Sequence, residues 1–159
     1  MKKMIRAAAA ALLLAVGATS CDGFFNETDG QEFCPIELRV EGTDVQETSD
    51  RFRLAGSMPA EGGTILVAGA GKYANLGYIT GICVDGVMQE RKGDINAGEL
   101  LDTYPVLSGP WGSVEYLSTE APYIMEITFT ANDSPEPRIY EFQFGYGYWY
   151  RILEITQPA

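Results

Sequence analysis

Histidine is absent from all 159 residues of the chain. That removes the Ser-His-Asp and Cys-His catalytic arrangements, together with the commonest zinc ligand. Positive charge is scarce as well: 11 lysines and arginines stand against 22 aspartates and glutamates, for a net charge of −11. A chain this acidic is repelled by nucleic acid and anionic lipid, since both demand cations. Cysteine occurs only at Cys21, Cys34 and Cys83. No apolar run reaches the roughly 20 residues that a membrane-crossing helix needs. No long amphipathic helical pattern is present, and frequent turn clusters point to short strands instead.

The longest apolar run lies near the N-terminus, from Ala7 to Val16. Lys2, Lys3 and Arg6 precede it, and Gly17-Ala18-Thr19-Ser20-Cys21 follows. A positive start, a short apolar segment and small residues make 1–20 an export signal. A small-residue run ending in Cys resembles a bacterial lipoprotein signal, in which the cysteine is lipidated and becomes the mature N-terminus. On that reading Cys21 carries the lipid, although Ala18 stands where the commonest pattern has Leu. The alternative is an ordinary secretory signal with Cys21 left free. Residues 21–34 form an acidic tether (Asp22, Glu27, Asp29, Glu32), interrupted by Phe24 and Phe25. Acidic residues soon after a lipidated cysteine resemble the surface-export signals of Bacteroidetes lipoproteins. The expected location is the outer membrane, lipid-anchored and facing the cell surface, with the periplasmic face as the alternative. Loss of Lys2, Lys3 and Arg6 takes the net charge from −11 to −14.

With Cys21 acylated, Cys34 and Cys83 remain. In an oxidising envelope they can pair. Closing so long a loop stabilises by roughly 4 kcal/mol in the chain-entropy model. The alternative is two buried thiols.

The stretch from Arg138 to Gln157 organises the rest. Tyr140, Phe142 and Phe144 alternate with Glu141 and Gln143, as do Leu153 and Ile155 with Glu154 and Thr156. Period-two alternation places each set on one face of a strand. Gly145 and Gly147 supply the backbone freedom of a reversal. The segment is therefore a β-hairpin, with Tyr146, Tyr148, Trp149 and Tyr150 at its tip. Alternation cannot bury all four on one side, so the tip is the candidate binding surface.

Upstream, Ile36–Val40, Phe52–Leu54, Thr64–Ala68, Val114–Leu117 and Met125–Phe129 read as short strands. Tyr78–Val84 and Val87–Gln89 flank Asp85-Gly86, the signature of a type I′ hairpin turn. Residues 41–50 read as a loop, and 90–110 as an irregular crossover broken by Pro105, Gly109 and Pro110. Gly69-Ala70-Gly71-Lys72 invites a phosphate-loop reading, but Tyr73 stands where Ser or Thr is required. A flexible turn or bulge is expected there. The whole describes an all-β fold: an immunoglobulin-like antiparallel β-sandwich of about seven to eight strands over residues 35–159.

Several short motifs resemble the BACON domain, an immunoglobulin-like module of secreted and surface proteins of Bacteroidetes. They are Glu61-Gly62-Gly63-Thr64 before an apolar strand, Trp111, Phe129-Thr130-Ala131-Asn132, Arg138 at a strand start, and the closing Ile155-Thr156-Gln157. Residues 81–110 are longer than in the usual module. The resemblance implies carbohydrate or mucin binding, or service as a spacer, and carries no binding signature onto individual residues.

Two functions compete. In the first, the tip aromatics stack on sugar rings, with Asp133, Glu136 and Gln143 near enough to meet hydroxyls. In the second, the domain is a structural spacer or an adaptor subunit of an outer-membrane protein complex, with exposed tip aromatics as protein anchors. Catalysis by a carboxylate pair is not expected, because no spacing singles a pair out. No cofactor or metal is expected either, as the acidic loops lack calcium-loop spacing.

Overall fold

The computed structural model describes residues 34–91, 106–118, 120–146 and 149–159, with backbone alone at Glu90, Arg91 and Tyr146. The export signal, Cys21 and Tyr148 lie outside the described residues, as do the tether before Cys34 and much of 90–110.

Eleven strands are present among the described residues. One sheet holds five in the order β1-β4-β9-β8-β7: Glu37–Glu41, Gly63–Ala70, Ile124–Phe129, Gly112–Tyr116 and Val106–Gly109. The other holds six in the order β2-β3-β11-β10-β5-β6: Val45–Glu47, Arg53–Ser57, Trp149–Gln157, Arg138–Tyr146, Ile79–Val84 and Val87–Arg91. The two sheets enclose one main core in an immunoglobulin-like sandwich. Ile65, Val67, Val114, Met125 and Ile127 face it from one sheet, and Tyr140, Phe142, Phe144, Leu153 and Ile155 from the other.

The strand count exceeds the expected seven to eight. Val45–Glu47 was expected in a loop and Val106–Gly109 in an irregular crossover, yet both extend a sheet edge. Strands of three and four residues carry too little alternation to read from sequence. The pairing also departs from all-antiparallel: β3 runs parallel to β11. The other recorded pairings are antiparallel.

The long hairpin forms as its alternation implies. Arg138 pairs with Gln157 at the base and Tyr146 with Trp149 at the tip. The Asp85-Gly86 turn has φ of 51° and 76°, the left-handed pair a type I′ turn requires. Asp85 Oδ1 accepts the Ile139 backbone N–H at 2.7 Å, which ties this turn to β10.

The short motifs around Gly62, Trp111, Thr130, Asn132 and Gln157 converge at one end of the sandwich. The fully buried Gln157 shares its amide protons among the carbonyls of Pro59, Ala60 and Thr130, and its Oε1 accepts from the Tyr140 hydroxyl. Asn132 donates to the carbonyls of Glu136 and Pro158 and receives Ser134 N–H. Thr130 N–H bonds the Trp111 carbonyl. Added at Gly62, a Cβ would stand 2.3 Å from the Phe129 carbonyl oxygen, so only glycine allows that approach. These residues clamp strand ends and loops together, a structural task.

Candidate functional site

The hairpin tip lies at the opposite end, about 26 Å away along the strands by their usual rise. The segment Gly71–Leu76 crosses the same end from β4 to β5. It is 3-10 helical and kinked at Tyr73, not the flexible turn expected. Gly71, at φ 65°, opens it, and a Cβ there would meet the Glu37 carboxylate at 2.7 Å. The kink brings Tyr73 to the hairpin.

Trp149 stands 40% exposed and meets Tyr73 with ring centroids 5.1 Å apart and planes 61° apart. Lys72 Nζ sits 5.1 Å above the Tyr73 ring, a cation–π distance. The corner therefore combines an exposed indole, a phenol, an ammonium and, against Gly71, a carboxylate. An apolar ring face with donors and acceptors at its edge suits a polar, ring-shaped ligand.

The four tip aromatics do not form one cluster. Tyr150 turns to the other side of β11, is 7% exposed and packs on Phe52 with centroids 5.5 Å apart. It belongs to a second small core of Phe52, Cys83, Tyr150 and Ile152, so it is not a surface aromatic. The Tyr146 side chain and Tyr148 lie outside the described residues. Asp133 and Glu136 sit in the loop held by Asn132 at the far end, remote from Trp149. Gln143 is buried midway along β10. In the sequence, Lys72 and Tyr73 bear only on the rejected phosphate loop and do not figure among the candidate binding residues. An aromatic after a glycine-rich turn was the local signal, but nothing local joins it to Trp149.

The second core corrects the cysteine pairing. Cys34 is a free thiol. Its Sγ donates to the Tyr150 carbonyl at 3.2 Å. Cys83 lies opposite Glu141, which lies opposite Glu154. From Tyr150, Cys83 is thus two strands across and four residues along, roughly 16 Å by sheet spacing. A disulfide bridges Cα atoms no more than about 7 Å apart, so Cys34 and Cys83 do not pair. Cys83 stands in a disulfide for which Cys34 is not the partner. Burial pushes the Cys34 thiol above its usual pKa, with the Ile36 hydrogen bond and Arg151 working against that shift. It is protonated at neutral pH and a weak nucleophile.

One carboxylate pair comes together. Arg53 Nη1 bonds Glu141 Oε1, and also Glu154 Oε2 at 2.7 Å. Burial opposes the Arg53 charge, but the two carboxylates outweigh it and hold its pKa above the usual arginine value. Glu141 is 2% exposed and clamped by the guanidinium, which gives a substrate no approach. Among the described residues, no group of His, Cys, Asp and Glu is placed to hold a metal ion.

No family model matches the chain, and no curated protein does. Among solved structures, it is similar to an NMR structure of a protein from Bacteroides thetaiotaomicron, with a TM-score of 0.50 and 17% identity. The match covers 88% of this chain and 98% of that one, so the likeness is one of fold across nearly the whole of both.

Proposed function

We propose that this is a non-catalytic surface lipoprotein of BACON type that binds carbohydrate at the Tyr73–Trp149 corner. The observation that carries the reading is Trp149 itself, 40% exposed yet fixed against Tyr73. An indole held in place loses little freedom when a sugar's C–H face stacks on it. Glycan-array and mucin binding by the purified full chain tests this, alongside Trp149→Ala checked for an unchanged melting temperature. Loss of binding in the variant supports the reading. Binding that survives moves the site elsewhere, and no binding by the parent chain overturns the reading.

The adaptor alternative has its own observation. Leu117 and Ile124 are 53% and 37% exposed and adjoin across β8 and β9, where Leu117 N–H bonds the Ile124 carbonyl at 2.8 Å. An exposed apolar pair of this kind suits a protein contact.

Anchoring through Cys21 is the localisation we propose, at the outer membrane. Cys21 is the remaining cysteine besides Cys34 and Cys83. Its sulfur can carry a lipid or a disulfide, not both, so the Cys83 disulfide, in which Cys34 takes no part, is the observation against the anchor. Peptide masses of the membrane-extracted protein decide the matter without reduction: acyl mass on Cys21 supports the anchor, and a Cys21 disulfide overturns it.

A further inference from the structure

The angle within the aromatic corner and the charge around it narrow the ligand. We infer that the corner receives the terminal ring of an uncharged saccharide chain, and not the side of a long or acidic one. This rests on the sugar-binding reading above.

A row of coplanar rings stacks successive sugars along an extended chain. Tyr73 and Trp149 are instead inclined at 61° with centroids 5.1 Å apart. A pyranose lying on the exposed Trp149 face meets Tyr73 as a wall, so the chain cannot continue in that direction. Tyr73 is half-buried, and a phenol hydroxyl can both donate to and accept from a sugar hydroxyl. Lys72 adds a donor above the Tyr73 ring, and Glu37 an acceptor against Gly71. One ammonium and one carboxylate leave the corner without the excess positive charge that a uronate or sulfate requires. The chain's net charge of −11 repels polyanions from farther out. The position agrees with end-on capture, because the corner occupies the mouth between the two sheets and not a sheet face.

The test is a length series titrated into the purified full chain. The probes are neutral glucose-, galactose- and N-acetylglucosamine-based saccharides of one to six units, beside oligogalacturonates of equal length. Affinity is expected to level off by two units, with galacturonates at least about tenfold weaker. Trp149→Ala is expected to lower affinity by about tenfold, the scale of one aromatic stack. Tyr73→Ala removes the wall and is expected to let affinity grow with length. Affinity that climbs through six units in the parent chain, or galacturonates that bind more tightly, would overturn the inference and leave sugar binding standing. Failure of every saccharide would sink the sugar-binding reading itself. The length series on the parent chain decides the point even where a variant fails to fold.

Discussion

At the scale of single residues, the six-stranded sheet hides charge. Arg53 lies between Glu141 and Glu154, which face one another across β10 and β11. Replacing one partner of a buried ion pair leaves the others uncompensated, at about 3–5 kcal/mol. Arg53→Met is therefore expected to lose about that much stability at pH 7 in urea unfolding. Tyr116 offers a second case. Its hydroxyl oxygen accepts the Ile79 N–H at 2.9 Å, and burial raises its pKa above the ordinary 10.0. The folded state thus holds the proton more tightly than the unfolded chain. The stability this contributes is intact below pH 10.0 and is lost as pH rises past it toward the raised folded value. Tyr116→Phe is expected to flatten the alkaline fall in melting temperature. It should also cost about 1–3 kcal/mol at neutral pH by leaving the Ile79 N–H unsatisfied. None of this was legible beforehand. Alternation separated Glu141 and Gln143 from Tyr140 and Phe142 correctly, yet both polar residues are buried too. A period of two states which residues share a face; what covers the second face is a tertiary matter.

At the scale of elements, turns and hairpins followed from local chemistry. Asp85-Gly86 folds as its sequence requires, whereas the parallel partner of β11 comes from far upstream and left no local mark. Glycines divide in the same way. Gly86 has φ 76° and open space where a Cβ would go. Gly86→Ala should cost about 1–2 kcal/mol, the left-handed penalty alone. Gly112 has φ 139°, and a Cβ there would lie 1.9 Å from the Thr128 carbonyl oxygen on β9. Gly112→Ala is expected to prevent β8 from pairing with β9. Circular dichroism and denaturant midpoints should show a mild loss for the first and an unfolded or aggregated chain for the second. Equal effects at the two positions would mean that the β8–β9 approach tolerates displacement. The Gly71–Leu76 segment shows the limit of local reading. Gly69 and Gly71 announced a turn, but the kink matters only because the β10–β11 tip arrives beside it.

At the scale of the molecule, the sandwich has two unlike ends. One is the hydrogen-bonded clamp around Gln157 and Asn132, next to the C-terminus. The other carries Trp149 and Tyr73, and the described chain enters there through Cys34 and Ile36: Cys34 bonds the Tyr150 carbonyl and Arg151 bonds that of Ile36. If Cys21 bears the anchor, residues 22–33 reach at most about 40 Å fully extended. The aromatic end would then be the membrane-proximal one. In vesicles carrying the anchored full chain, brominated phospholipids should quench Trp149, with little effect on Trp111, which is buried beside the clamp. Trp149→Phe should abolish the quenching. Quenching that persists in this variant would place the other end toward the bilayer. The sequence by itself determined the class of fold, the long hairpin, the type I′ turn and the glycine-bounded loops, because those depend on periodicity and on the backbone freedom of nearby residues. Only the tertiary structure decided that Tyr150 is core, that Cys34 lies out of reach of Cys83, and that Tyr73 is the residue facing Trp149. Each of those outcomes depends on which strands lie side by side, and pairing between distant segments is written in no single stretch of the chain.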